Sequence, residues 1–231
     1  MARIYLPSRE PEDWRRLLGD PEKHWRIGYS ARTLAHCWEH AGHLPPEIET
    51  ILNPLGEPEL LIAIPEHKVP LPGSKIGESQ NDLFMLVRAG SKTVAVAIEG
   101  KVNEPFDQPL GKWLVNASPG KLQRLAYLCD LLGLNQPLPL DLHYQFLHRT
   151  ASAVIEARRF KTDSAAMIVH SFSPERLWFD AFARFVALFG VEAQPDKLVA
   201  IRPDGTPPKY VGGRAVTARS WRADRHASPS P

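Results

Sequence analysis

The chain has 231 residues, of which 43% are hydrophobic and 23% charged. These values fit a globular fold of roughly one domain and exclude wholesale disorder. The net charge is only +2. Four arginines and one aspartate between Arg214 and His226 give that segment +3, which leaves residues 1–213 at −1. Bulk charge therefore does not announce a nucleic-acid binder. No stretch approaches 18 uncharged apolar residues, so no membrane span is expected. The N-terminus lacks the apolar core of a secretory leader. Two isolated cysteines, Cys37 and Cys129, make no disulfide framework, and a reducing, cytoplasmic location is expected.

The 22 prolines cluster and punctuate the chain. Residues 1–29 read as an irregular N-terminal arm. Ser30 is the expected N-cap of a helix in which Ala31, Leu34, Ala35, Trp38 and Ala41 form one apolar stripe, closed by Gly42. A short helix is expected after Pro45-Pro46. Residues 59–64 read as a buried strand, followed by a Pro/Gly-rich loop. Two strands, 83–89 and 93–102, flank Gly90-Ser91 as a hairpin. Ser118 and Pro119 open a helix that ends at Gly133. Residues 142–148 alternate as a strand, and Thr150 caps a helix to about Phe160. Residues 165–169 read as a strand, Ser173-Pro174 opens a helix to Phe189, and 197–201 form a last strand. Phe172, Trp178, Phe179, Phe182, Phe185 and Phe189 recur at helical spacing, which reads as a packed core or a dimer face far more often than as a base-stacking platform. From residue 212 onward an Arg/Ser/Pro-rich tail is expected. The domain would span 30–211. A run of strands followed by helix–strand alternation predicts an α/β fold, a mixed central sheet flanked by helices.

The hairpin carries the chemistry. Alternation places Val94, Val96 and Ile98 on one face of the second strand, and Ala95, Ala97, Glu99 and Lys101 on the other. A two-residue loop pairs Ala89 with Lys92 and sets Asp82 directly across from Glu99, with Cβ atoms about 4.5–5.5 Å apart. At an effective dielectric near 20, such a carboxylate pair repels by about 3–4 kcal/mol. A shared proton, a cation or a metal must offset this. Lys101 supplies one charge. Oxygen ligands suit Mg²⁺ or Mn²⁺. An ion beside a lysine suits phosphodiester hydrolysis. An ordinary surface salt bridge is the competing reading from spacing alone.

Asp82 followed by Glu99-Gly100-Lys101 resembles the D…E-x-K signature of the PD-(D/E)XK nuclease superfamily. The element order over 30–148 resembles that superfamily's restriction-endonuclease-like αβββαβ core, here with extra C-terminal helices and strands. Gln123 and Tyr127 resemble the Q-x-x-x-Y motif of its exonuclease-like branches, and the phrases Pro11-Glu12-Asp13-Trp14-Arg15 and His148-Arg149-Thr150-Ala151-Ser152 resemble an uncharacterised bacterial family assigned to it. The resemblance implies Asp82 and Glu99 as metal ligands, with the Gly100 carbonyl as a further ligand. It implies Lys101 acting on the attacking water, and Gln123 and Tyr127 contacting substrate. Asn81 stands where the signature has proline. Glu39, on the first core helix, is the candidate additional acid, ahead of Glu78 and Glu104. The implied partner is nucleic acid, DNA ahead of RNA, with homo-oligomerisation left open. The alternatives are a catalytically silent nuclease-fold module that binds nucleic acid or protein, and a hydrolase of small phosphorylated molecules. His36, His40 and His43 share a helix face and read as a solvated polar surface rather than a metal site. His148-Arg149 reads equally as a phosphate contact or as structure.

Overall fold

A two-residue turn at Gly90-Ser91 sets the register of the sheet. In the computed structural model, which describes residues 8–73, 77–201 and the backbone of 209–215, β2 (Glu78–Ala89) and β3 (Lys92–Lys101) pair from Ala89–Lys92 to Leu83–Ile98. This is the register expected from the turn. β1 (Pro58–Pro70) adds antiparallel to β2, with a bulge between Leu60 and Ile62. It extends six residues beyond the expected strand. Pro65 and Pro70 are tolerated there because the strand lies at the sheet edge.

β4 (Ser164–Ser171) pairs parallel with β3. β6 (Lys209–Ala215) pairs parallel with β4, and β5 (Lys197–Ile201) closes the far edge antiparallel to β6. Among the described residues the sheet has six strands in the order β1-β2-β3-β4-β6-β5. The strand at 209–215 corrects the expected boundary, since residues 212–215 belong to the sheet rather than to a tail. The remaining tail, 216–231, lies outside the described residues.

Helices cover both faces. On one side lie α1 (Glu12–Arg15), α2 (Pro21–His24), α3 (Ser30–Ala41) and α4 (Pro46–Leu52). Trp14, Leu34, Trp38 and Ile48 there pack against Leu83, Met85, Val94, Val96 and Ile98. The segment expected to be an irregular arm is thus partly helical and joined to the core through buried Trp14. On the other side lie α5 (Leu110–Trp113), α6 (Pro119–Leu132), α7 (Tyr144–Phe160) and α8 (Phe179–Ala187). Their side chains pack with Phe84, Ala95, Ala97, Ala165 and Met167. The two faces of β3 fall as the alternation required.

Two further elements differ from expectation. Residues 144–148, expected as strand, are the first turns of α7. Leu142, Tyr144, Phe146 and His148 alternate, but that helix buries 11 of its 17 residues, so it has no polar face to reveal its period. Thr150 therefore lies inside the helix. α8 begins only at Phe179, because Trp178 takes a left-handed conformation (φ 70°) at its N-cap. No helix among the described residues is long and apolar enough to cross a membrane.

Candidate functional site

Glu99 is the most heavily bonded carboxylate of the site. It sits at the end of β3 on the α7 face and is 3% exposed. Its Oε1 accepts from Lys101 Nζ at 2.8 Å and from Gln145 Nε2 at 2.7 Å. Its Oε2 accepts from Arg149 Nε at 2.5 Å. Burial raises its pKa, but the Arg149 and Lys101 charges outweigh it and hold the carboxyl down at about 2. Lys101 is 5% exposed and lies 5.0 Å from the Phe106 ring centroid. Burial lowers its pKa, yet Glu99 and Asp82 more than compensate, and it rises above its usual value. At neutral pH Lys101 is an ammonium donor and has no lone pair with which to take a proton.

Asp82 stands beside Glu99 at the end of the β2–β3 ladder. Its Oδ2 accepts from the Gly100 amide at 2.7 Å, and its Oδ1 lies 3.8 Å from Arg149 Nη2. A side chain at Gly100 would come within 3.3 Å of both Asp82 Oδ2 and the Ser30 Cβ, so glycine lets β3 pass close under α3. Burial and then the Glu99 charge push Asp82 up to about 7, against the pull of Arg149 and Lys101. A third acid, Glu66, comes from β1. It lies between the Pro65–Leu83 and His67–Asn81 pairs, hence opposite Asp82, in a left-handed conformation (φ 52°). Gln80 Nε2 donates to it at 2.6 Å. Burial and then Asp82 push it up to about 8.

Asp82, Glu99 and Lys101 line a cavity of 460 Å³ together with Lys23, His24, Tyr29, Ser30, Glu104, Asp107, Gln145 and Arg149. Its four acids face three fixed cations, and Glu66 adds a fifth acid behind Asp82. Glu104, one of the weaker sequence candidates, accepts from the Ser30 and Val102 amides and so ties the α3 N-terminus to the exit of β3. The donor set is all oxygen and in acidic surplus, which fits a hard divalent cation. Glu99 already accepts three donors, so an ion would have to share its Oε2 with Arg149.

The other expected residues fall elsewhere. Gln123 is exposed on α6, and Tyr127 packs against the core beside it. α6 packs on α7, which itself lies on β3 and β4. Neither residue lines the cavity. The helical i, i+4 pair that does is Gln145 and Arg149 of α7, in the stretch that alternation disguised as a strand. Glu39 accepts from Trp14 Nε1 at 2.7 Å and from the Ser8 hydroxyl, and lines a separate pocket. It fixes the N-terminal segment to α3 and is not an acid of this cavity. Glu78 is exposed at the start of β2. His148 lies behind Arg149. Its Nδ1 is 2.7 Å from Ser79 Oγ, which also accepts from Arg149 Nη1 at 3.3 Å. Burial and the neighbouring guanidinium keep His148 neutral.

A second cluster joins Cys37, Glu47 and His170, whose ligating atoms lie within 4.8 Å of one another. Trp38 Nε1 lies 3.4 Å from His170 Nδ1, and His170 Nε2 lies 3.1 Å from Glu47 Oε1. An indole only donates, so Nδ1 accepts and the neutral ring keeps its proton on Nε2, aimed at Glu47. A metal on Nε2 would need that proton gone and would turn Nδ1–H against the indole N–H. The cluster is a hydrogen-bonded joint between α3, α4 and β4.

No curated protein and no solved structure matches the chain. A family model, described as a domain of unknown function (DUF6946), matches residues 7–214. The match runs from just before α1 to within β6, taking in every element that builds the cavity, and the chain belongs to this DUF6946 family.

Proposed function

We propose that the protein is a Mg²⁺- or Mn²⁺-dependent phosphodiester hydrolase of nucleic acid, with a PD-(D/E)XK-like site made of Asp82, Glu99 and Lys101. The observation that carries this reading is the placement of two carboxylates across the β2–β3 ladder, with Lys101 2.8 Å from one of them, on the floor of an acidic cavity. The cavity's Lys23, Lys101 and Arg149 are matched by Glu99, Glu104 and Asp107, so it offers a phosphodiester no surplus positive charge unless a cation is added. A divalent ion held by Asp82 and Glu99 would acidify a water and offset charge developing on the phosphate. The Gly100 amide fixes one oxygen of Asp82 and leaves the other directed at Arg149. Lys101 acts as a charged donor that orients water or phosphate oxygen. In the metal-free protein Glu99 and Asp82 raise its pKa and keep it a charged donor. Arg149 and Gln145 bracket Glu99 from α7 and are placed to meet a phosphate that enters the cavity.

The test is hydrolysis of bis(para-nitrophenyl) phosphate and labelled oligonucleotides with Mn²⁺ or Mg²⁺. Asp82→Asn and Lys101→Met should each lower the rate by about a hundredfold or more. Equal activity in wild type and both variants rejects the site. Glu39→Gln and Gln123→Ala, both outside the cavity, should retain the rate.

A second reading has its own observation. Arg149 forms the ion pair with Glu99 that a metal would replace. If the pair persists in the presence of ions, the protein is a silent binding module. Mn²⁺ titration by calorimetry separates the two, since the module takes up no ion at millimolar concentration.

A further inference from the structure

The reactive groups lie deep, Tyr29 stands part-exposed on the cavity wall, and Trp178 stands part-exposed outside the lining with its indole at the Asn103 carbonyl. We infer that the site takes its nucleic acid as an unpaired strand, one nucleotide entering the cavity and its neighbours stacking on Tyr29 and Trp178, and not as an intact duplex. The inference rests on the hydrolytic reading for the identity of the cavity floor.

Depth is the first argument. Glu99 and Lys101 are almost fully buried, at the bottom of a 460 Å³ space walled by the α2–α3 segment, the exit of β3 and α7. A space of this size accepts one small-molecule-sized group. A phosphate reaches the floor only if its own nucleotide enters with it. In a duplex that entry requires unpairing and unstacking, a cost that an already single strand does not meet.

The exposed rings are the second argument. Tyr29 is 39% exposed on the cavity wall. Trp178 is also 39% exposed, and it holds a left-handed backbone (φ 70°) that bulky residues rarely adopt. Its indole N–H reaches the Asn103 carbonyl at 3.4 Å, two residues beyond Lys101. A strained, half-exposed tryptophan contributes less to a core than its buried neighbours Phe182 and Phe185 do. Flat exposed rings are the sequence-tolerant platforms on which unpaired bases stack.

Charge is the third argument. Duplex binding draws mainly on many Lys and Arg contacts to phosphate. This chain carries a net +2, and the cavity's Lys23, Lys101 and Arg149 are matched by Glu99, Glu104 and Asp107. Binding that leans on stacking is the mode such a surface can support.

The experiment uses full-length Lys101→Met with Mn²⁺, which slows chemistry and keeps both acids that would hold the ion, with labelled oligo-dT, oligo-rU and a mixed-sequence duplex of equal length, read by fluorescence anisotropy. Either single strand should bind at least about tenfold more tightly than the duplex, and the DNA and RNA arms identify the preferred sugar. Tyr29→Ala and Trp178→Ala, each made in that background, should weaken strand binding by about tenfold, while Trp178→Phe keeps most of it. Circular dichroism establishes folding, and Tyr29→Ala carries the test if Trp178→Ala does not fold. Duplex binding as tight as strand binding, or strand binding unchanged in the folded ring variants, overturns the inference. Strand binding without any hydrolysis by wild type removes the hydrolytic reading and leaves the strand preference standing. Hydrolysis of bis(para-nitrophenyl) phosphate with equal handling of strand and duplex does the reverse.

Discussion

Arg149 Nε lies 2.5 Å from Glu99 Oε2, and the same guanidinium stands 3.8 Å from Asp82 Oδ1. One side chain of α7 thus compensates both carboxylates of the β2–β3 pair. This contact couples the helix to the site and places a fixed cation where a divalent ion would have to compete.

Replacing Arg149 by methionine keeps bulk and removes the charge. It leaves Glu99 buried with Lys101 and Gln145 alone. Breaking a buried pair from one side costs about 3–5 kcal/mol, so the melting temperature should fall clearly. Added Mn²⁺ should restore more stability to Arg149→Met than to wild type, because the competing cation is gone. Equal Mn²⁺ shifts in the two melting curves refute the competition.

The Glu66–Asp82 pair predicts a pH effect with a definite sign. Both groups bind protons more tightly folded than unfolded, Asp82 at about 7 against 3.8 and Glu66 at about 8 against 4.5. Their contribution is full below the unfolded values and is lost as pH rises through the folded ones. His148 works the other way. Folded it stays neutral, unfolded it protonates below about 6.5, so it adds slope only on the acid side. Between about pH 7 and 8.5 the metal-free protein should therefore lose stability, and Glu66→Gln should flatten that slope. Urea melts across this range measure it. A wild-type curve that rises or stays level there contradicts the arrangement.

The hairpin was legible because its information is local. A two-residue loop and a period of two decide both the register and the face, and Asp82, Glu99 and Lys101 followed from them. Glu66 was not legible, because the β1–β2 connection through residues 71–77 is long and its length does not fix a register. Gln145 and Arg149 were hidden by a helix buried nearly all round, whose first residues alternate like a strand. Glu39 illustrates a different limit. Its position at the border of the α3 stripe showed that it would meet a neighbour, but that neighbour is Trp14, from a segment with no periodic signal.

Trp14 gives a prediction about that segment. Its ring is buried against α3, and its indole N–H donates to Glu39 Oε1 at 2.7 Å. Trp14→Ala should cost about 3–5 kcal/mol by cavity formation. Trp14→Phe keeps most of the packing and should lose about 1 kcal/mol with the hydrogen bond. Chemical denaturation of the two variants gives both values. Near-wild-type stability of Trp14→Ala would mean that the N-terminal helices do not belong to the core.

The cysteines offer a check whose first part needs no substitution. Burial, reinforced by Glu47, pushes the Cys37 thiol far above its usual value. Burial and Asp130 push Cys129 up to about 11. Only the thiolate reacts, so at about pH 8 both thiols should modify slowly in the folded protein and rapidly in denaturant. The Cys37 result also probes the joint around Glu47. Its sulfur lies 3.7 Å from Glu47 Oε1, so Glu47→Gln removes the nearby charge and should raise the native labelling rate at Cys37 while leaving Cys129 unchanged. Mass spectrometry of timed alkylation resolves the two sites. Fast native labelling of Cys37 in wild type would contradict a buried, hydrogen-bonded Cys37–Glu47–His170 cluster.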